Sequence, residues 1–350
     1  MVKKIGATQF LSMEGDFELA PLNVLIGPNG AGKSNFIEIL AILRECPVDV
    51  LRPIRIGGFN RWLRHPLQSH EKAFTLTMTL ESGVSHEVAI GSNPIGVSQE
   101  KVRKGLDEFP LPGLEFDGGK SLLAQYRDPK RLPNIQELLE FYGSIGIYRN
   151  WCFGPRSILR QPSLDDMQGD YLEEDGSNLA LIVERLCALE STRGRFVELL
   201  RGFLEDAEVP IVERHPPRAD LYVRMRSGAK IAAERLSDGT LRWMSLLAIL
   251  LNPNHHRLIC IEEPELGLHP DMMGTVADLL RVASEKCQII VTTHSPGLVA
   301  GFSDLPEAIV VCDKREGRTT MRRLKASDQL DDFEDLAMAW ASGAIGGNRW

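Results

Sequence analysis

Paired cysteines are missing from this chain. Its six cysteines, Cys46, Cys152, Cys187, Cys260, Cys287 and Cys312, are scattered through 350 residues with no C-x-x-C pair. That spacing indicates neither a zinc site nor a disulfide framework and fits a reducing cytoplasm. Cys260 stands inside an apolar run, where a thiol behaves as a small buried hydrophobe. A signal-peptide start is also lacking, since Met1-Val2-Lys3-Lys4-Ile5-Gly6 has no apolar run. The most apolar helical stretch, Trp243 to Leu251, is far too short to span a bilayer, so no membrane domain is expected. No heptad pattern persists over several turns, which excludes a long coiled coil, and neither repeats nor low-complexity segments occur. Positive charge is not in excess: 40 basic against 48 acidic residues leave a net charge of −8. A basic coat for non-specific nucleic-acid binding is thereby disfavoured, although a local basic strip stays open.

What remains is the composition of a globular protein with a real core, 43% hydrophobic and 25% charged. The length fits about two domains, or one large domain with an insertion. Residues 5–26 read as strands, ending in the apolar run Leu22-Asn23-Val24-Leu25-Ile26. A helix starts near Lys33, with Phe36, Ile37, Leu40 and Leu43 on one face, and stops before Pro47. Residues 73–90 alternate apolar and polar, as in a half-buried antiparallel hairpin. Residues 92–133, rich in Gly, Pro and charge, read as irregular. Residues 135–142 and 177–207 look helical, and 221–226 strand-like. Helices at 239–251 and 271–285 then alternate with strands at 258–261, 288–292 and 309–312. Late βαβ alternation implies parallel strands, and the early hairpin an antiparallel sheet. The expected organisation is an N-terminal half-lobe at 1–155, a helical insertion at 156–235, a C-terminal half-lobe at 236–325 and a tail at 326–350.

Chemistry concentrates in four places. Gly27-Pro28-Asn29-Gly30-Ala31-Gly32-Lys33-Ser34 matches G-x-x-x-x-G-K-[ST] between a strand and a helix. Its glycines let successive N–H groups turn inward onto phosphate oxygens, and the helix start adds its positive end. Lys33 is placed to neutralise the β- and γ-phosphates, and Ser34 to ligate Mg²⁺. The apolar strand Leu258-Ile259-Cys260-Ile261 ends in Glu262-Glu263-Pro264-Glu265. Glu262 stands where a carboxylate can hold Mg²⁺, and Glu263 where one can act as general base toward water. His294, in Thr292-Thr293-His294-Ser295-Pro296, follows the apolar strand Ile289-Ile290-Val291, and an imidazole there can reach a γ-phosphate or orient water. Finally, Ser237 and Gly239 of Leu236-Ser237-Asp238-Gly239 open a helix and offer a hydroxyl and free N–H groups to an anion.

This set, in this order, resembles the ABC-type ATPase heads of the RecF, SMC and overcoming-lysogenization-defect group, grouped broadly as AAA-family ATPases. Leu22 through Asn35 is similar to the group's opening strand and P-loop, and Ser237-Asp238-Gly239 to the ABC signature. Glu262-Glu263 resembles the Walker B pair, Glu265 to Pro270 the D-loop, and His294 the H-loop. The missing second signature glycine and the Glu at 262, in place of the more usual Asp, set the chain apart from transporter cassettes. The resemblance implies an α/β P-loop NTPase fold, an ABC-type head with a mixed sheet, an antiparallel β subdomain and a helical insertion. It further implies ATP and Mg²⁺, with hydrolysis in a head-to-tail homodimer that sandwiches two ATP molecules, since one subunit's signature Ser meets the γ-phosphate on the other's P-loop. For the Q-loop glutamine, which in the group contacts Mg²⁺, the resemblance offers Gln161, with Gln68 behind it.

Some relatives append a metal-dependent nuclease domain. The short stretch after His294 leads us to expect none here. Stand-alone ATPases with tails similar to Gly346–Trp350 resemble components of anti-phage, mobile-element or toxin–antitoxin type operons, in which a separately encoded effector carries the final chemistry. The alternative is a RecF-like clamp closing on DNA in repair, with Arg52, Arg55, Arg61, Arg64, Arg214, Arg218, Arg224 and Arg226 as candidate phosphate contacts.

Overall fold

A computed structural model describes residues 1–64, 72–105, 107–109, 120–125, 132–326, 328 and 333–347. Gln68 and the last three residues of the tail lie outside them. Two long strands, β1 (Val2–Phe10) and β2 (Met13–Glu18), pair as a hairpin and lead into β3 (Leu22–Ile26). The P-loop comes next, then α1 (Lys33–Arg44) and the short α2 (Arg52–Gly57). Beyond it run β4 (Ala73–Leu80) and β5 (Val84–Ser92), whose buried positions alternate as the apolar/polar pattern demands.

The segment expected to be irregular continues the sheet. β6 (Ile95–Lys104) pairs antiparallel with β5 along its length, and β7 (Asp107–Phe109) with β6. Its polar residues hid it: Glu100, inside β6, is buried because it accepts hydrogen bonds from Ser121 and the Leu122 amide and faces His86 Nε2 at 2.9 Å. The result is an antiparallel sheet of order β2-β1-β4-β5-β6-β7. Helices α3 (Leu122–Gln125) and α4 (Pro133–Tyr142) lead to β8 (Ile145–Tyr148).

The middle of the chain is more than helical. After β9 (Ser163–Leu164), the long helix expected there breaks at Leu189 into α5 (Leu179–Ala188) and α6 (Glu190–Phe203). Strands β10 (Ala207–His215), β11 (Arg218–Met225) and β12 (Lys230–Ala232) then join β9 in a four-stranded antiparallel sheet. Helix α7 (Asp238–Leu250) starts at the signature-like motif, followed by β13 (Leu258–Glu262), α8 (Met273–Ser284), β14 (Gln288–Thr292), α9 (Pro296–Ala300), β15 (Ile309–Arg315), β16 (Arg318–Arg323) and α10 (Leu336–Ala341).

The third sheet, in order β16-β15-β3-β14-β13-β8, is parallel apart from β16. Both faces are covered, so its strands read as unbroken apolar runs rather than alternation. Leu25, Cys260 and Ile290 pack toward α1 and the antiparallel sheet. Val24, Ile261 and Val291 pack toward α7, α8 and α9. The edge strand β8 is blunted by side chains instead of another strand: Glu174 accepts from the Ile147 amide, while Arg44 donates to the Ile145 carbonyl and pairs with Glu174.

Trp243 anchors α7, with no exposed surface and its indole N–H donating to the Leu199 carbonyl at 2.9 Å. Trp243→Ala should destabilise the fold by about 3–5 kcal/mol, through cavity formation and an orphaned carbonyl. Urea denaturation measures this, and a loss well under 1 kcal/mol would mean that the contact with α6 is not structural.

Candidate active site

Register assembles the site. Glu262 on β13 lies opposite Thr292 on β14, and Thr292 opposite Leu25 on β3. The residues just beyond these strands therefore emerge side by side at the sheet's carboxyl edge, the usual place for a ligand in a parallel sheet. β3 delivers the P-loop, β13 delivers Glu262 and Glu263, and β14 delivers His294.

The loop backbone depends on its glycines. Gly27 has φ of 143°, and a Cβ there would lie 2.2 Å from the Cys312 carbonyl oxygen; Gly32 has φ of 107°, and its Cβ would lie 2.0 Å from Thr319 Oγ1. Lys33 is buried, with its ammonium donating to the carbonyls of Gly27 at 2.7 Å and Pro28 at 3.2 Å. Burial pulls its pKa below the usual lysine value, opposed chiefly by nearby Cys312 and then by Glu263, Glu265 and Glu262.

Ser34, in the first turn of α1, stands near enough to the Glu262 carboxyl to favour its charged form, and Glu262 Oε1 is buried without a partner. Burial raises the Glu262 pKa, against the pull of Arg149. Arg149 stands directly after β8 and donates to Glu38 of α1 at 2.8 Å. One hydroxyl and one carboxylate with an open oxygen fit Mg²⁺, which usually takes one or two protein ligands and completes its shell with phosphate and water. Among the described residues no group of three or more His, Cys, Asp or Glu could hold a metal by itself. The donor set thus fits a metal that arrives with phosphate.

Glu263 has φ of 47°, a left-handed conformation costly for a residue with a Cβ. Two bonds hold it there: its amide donates to the Thr292 carbonyl at 2.9 Å, and its carbonyl accepts from Arg242 Nη2 at 2.9 Å. The turned backbone brings Glu263 Oε1 to 3.8 Å from His294 Nε2. Glu265 positions the histidine from below, accepting from the Thr293 hydroxyl and the His294 amide, each at 2.7 Å. His294 titrates below the ordinary imidazole value, because burial and then the Lys33 charge disfavour the imidazolium, with Glu263 and Glu265 opposing.

Two arginines and a tryptophan were not picked out by motif reading. Arg242 is fully buried in α7, its guanidinium over the Trp151 ring, and burial pushes its pKa down to about 8. Trp151 in turn donates to the Glu262 carbonyl at 3.0 Å. A single charge inside the apolar run Leu241 to Leu251 was the available signal. Arg160 supports the signature, donating to the carbonyls of Glu234 at 2.8 Å and Leu236 at 2.6 Å and pairing with Asp238 at 2.5 Å.

Ser237 is exposed and caps α7, accepting from the Thr240 amide at 3.0 Å. Gly239 packs on the D-loop turn, where a Cβ would lie 2.7 Å from the Gly267 carbonyl oxygen. Among the described residues of this subunit, no hydrogen bond joins Ser237 to the P-loop. Gln161 lies with Pro155, Asp220, Tyr222 and Glu234 along a groove beside the small sheet, and no hydrogen bond links its side chain to Ser34 or Glu262. Of the candidate phosphate-binding arginines, Arg55 pairs with Asp49, Arg64 with Glu14, Arg214 with Asp165 and Glu184, and Arg224 with Glu208.

Residues 22–81 and 155–300 match the family described as "AAA domain, putative AbiEii toxin, Type IV TA system". Among curated proteins, the chain is 24% identical to the Old nuclease of Escherichia phage P2, over 90% of this chain and 59% of that protein. It spans, therefore, about three fifths of that relative's length. It is 20% identical to the Retron Vc95 probable ATPase of Vibrio cholerae, over 84% of this chain and 68% of that one. In shape it is similar to the SMC head crystallised with the C-winged helix domain of ScpA, at a TM-score of 0.61 and 14% identity over 94% of this chain and 99% of that one. An SMC head with an extended coiled coil, bound to the C-terminal domain of ScpA derived from Pyrococcus furiosus, gives 0.59 at 13% identity over 95% and 98%. At such identities the structural likeness speaks for the fold alone.

The Glu263–His294 contact is directly measurable. The Glu263→Gln substitution removes a negative charge that favours the imidazolium, so the His294 midpoint should fall further below the ordinary value. Lys33→Met removes a positive charge, so it should rise. Titration of the His294 ring signals by NMR reads both shifts, and an unmoved midpoint in Glu263→Gln would dissolve the pairing.

Proposed function

The chain belongs to this AAA-domain family, as an ABC-type P-loop ATPase of the RecF, SMC and overcoming-lysogenization-defect group, and we propose that it works as an ATP-gated dimeric switch. In this reading it binds Mg·ATP on the P-loop, hydrolyses it between two head-to-tail copies, and signals to a separately encoded effector in an anti-phage defence or toxin–antitoxin type complex. The observation that carries it is the convergence of Lys33, Glu262, Glu263 and His294 at one sheet edge, with Ser237 exposed and not hydrogen-bonded to the P-loop of its own chain.

Each residue then has a physical role. The N–H groups of the loop Gly27 to Ser34, apart from Pro28, which has none, and Ala31, whose amide donates to the Pro28 carbonyl, shape the phosphate cradle, with Asn29 in the turn and Asn35 tying α1 to Ser12. The Lys33 ammonium exchanges the carbonyls of Gly27 and Pro28 for phosphate oxygens. Ser34 and Glu262 would hold Mg²⁺, which when bound neutralises charge on the phosphates. Glu263 accepts the proton of the attacking water, and His294 Nε2, at 3.8 Å from it, orients that water or the γ-phosphate. Lowered by burial, the imidazole is neutral at physiological pH and can both donate and accept.

The signature completes the site from the partner copy. Ser237 and Gly239, at the positive end of α7, would face the γ-phosphate on the partner's P-loop. Phe153 and Leu266 are 44% and 42% exposed beside the D-loop turn, apolar surface suited to a self-complementary contact. The half-lobes 1–155 and 236–325 then form the ATPase lobe, and 156–235 supports the signature through Arg160. The RecF-like clamp reading is weaker, because half of its candidate arginines already have acidic partners. Among the described residues no helix is long and apolar enough to cross a membrane, and nothing recommends a transporter cassette.

Glu263→Gln should bind ATP, accumulate as a dimer, and hydrolyse roughly two to four orders of magnitude more slowly. Phosphate release with light scattering checks both features, and wild-type turnover would remove Glu263 from the role of base.

Ser237→Arg should still bind ATP in each monomer yet neither close the dimer nor hydrolyse, since the cation fills the partner phosphate's position. Mixed with Lys33→Ala protein, it should recover part of the activity, because the heterodimer contains one whole composite site. Normal dimerisation and hydrolysis by Ser237→Arg alone would end the head-to-tail reading.

A further inference from the structure

The motif set stops at His294 and the family match at residue 300, yet the P-loop rests on residues beyond both. Gly27 packs on the Cys312 carbonyl of β15, and Gly347 of the C-terminal segment approaches Gly27 so closely that a Cβ on it would lie 3.3 Å from the Gly27 Cα. That segment is fixed by Trp340, whose indole donates to the Gly347 carbonyl at 3.1 Å, and by Arg322, which donates to the Ile345 carbonyl at 2.8 Å. At the other end of the loop, Gly32 lies against Thr319 of β16 and Ser12 of the β1–β2 turn.

The hydroxyls there form a chain whose direction is fixed. Thr319 Oγ1 donates its single proton to the Ala31 carbonyl at 2.8 Å. Ser12 Oγ, 2.6 Å from Thr319 Oγ1, must then be the donor between them. Asn35 Nδ2 donates to Ser12 Oγ at 2.8 Å, and the Thr319 amide donates to the Ser12 carbonyl at 2.7 Å. Thr319 and Ser12 are 3% and 4% exposed, so water does not replace these bonds.

We infer that the β15–β16 hairpin is the support of the phosphate loop and that Thr319 is a positioning residue for nucleotide binding. The Ala31–Gly32 peptide is planar and trans, so its N–H points opposite to its C=O. With the carbonyl held by Thr319 behind the loop, the Gly32 N–H is turned to the opposite, ligand-facing side. Asn35 extends the restraint to α1, linking both ends of the chain to one peptide unit. This inference rests on the nucleotide-binding reading of the P-loop and adds a residue to it.

The test titrates Mg·ATP into the full chain by calorimetry and measures KM and kcat for hydrolysis. Thr319→Val keeps shape and β-branching but removes the donor. It should weaken ATP binding by about tenfold, the entropy of re-fixing the freed Ala31–Gly32 peptide when nucleotide binds, raising KM while kcat at saturation holds. Thr319→Ser should restore wild-type affinity. Ser12→Ala should weaken binding less, and the double variant should be no weaker than Thr319→Val alone, because both act through one peptide. Wild-type affinity in Thr319→Val, with Lys33→Ala abolishing binding, overturns the inference. Wild-type affinity in Lys33→Ala would instead overturn the nucleotide-binding reading itself. Should Thr319→Val fail to fold, as judged by its thermal transition without nucleotide, Ser12→Ala decides, and unchanged affinity there overturns the inference.

Discussion

Parallel pairing of β3, β14 and β13 in one register is the constraint on which the rest of the molecule depends. It sets Leu25, Thr292 and Glu262 in a row, so that three loops with no sequence relation leave the sheet as neighbours. A shift of one residue in either ladder would exchange the two faces of a strand that is buried on both. Val24 and Leu25 pack into different halves of the core, as do Ile290 and Val291. Register is therefore enforced by packing, and the site inherits its precision from the core.

A second consequence is that charge must be brought close to a dry interior. Lys33, Glu262 and Arg242 all stand where burial opposes ionisation. Lys33 is held by loop carbonyls and Arg242 by the Glu263 carbonyl and the Trp151 ring, while Glu262 Oε1 and the Arg242 Nε and Nη1 are buried without a hydrogen-bond partner. Arg242 lies on the helix that Ser237 caps, so the signature and the turned backbone of Glu263 are joined within one subunit by a single side chain.

Around this centre, elements distant in sequence act as braces. Arg160 holds the signature turn, Glu265 the backbone of His294, and the Arg44–Glu174 pair the open edge of β8. The C-terminal hairpin serves the P-loop in the same way. These braces are side chain to backbone, the commonest means by which proteins satisfy irregular loops away from regular ladders.

The local parts were legible in the chain: the strand–loop–helix around Lys33, the acidic end of β13 and the histidine after β14. Local pattern suffices there, because glycine backbone freedom, apolar runs and helix starts are properties of a few adjacent residues. β6 was not legible, since Glu100 looks like a loop residue until His86, Ser121 and the Leu122 amide surround it. Neither were β10 and β16, whose charged residues mask the strands, nor the break at Leu189. The sequence by itself singled out the candidate residues for phosphate, metal and water. Only the tertiary structure decided that Glu263 and His294 stand 3.8 Å apart, that Arg242 and Thr319 hold backbone groups of the site, and that Gln161 lies beside another sheet. Those facts depend on strand register and on bonds between residues far apart in the chain, and no window of neighbouring residues contains them.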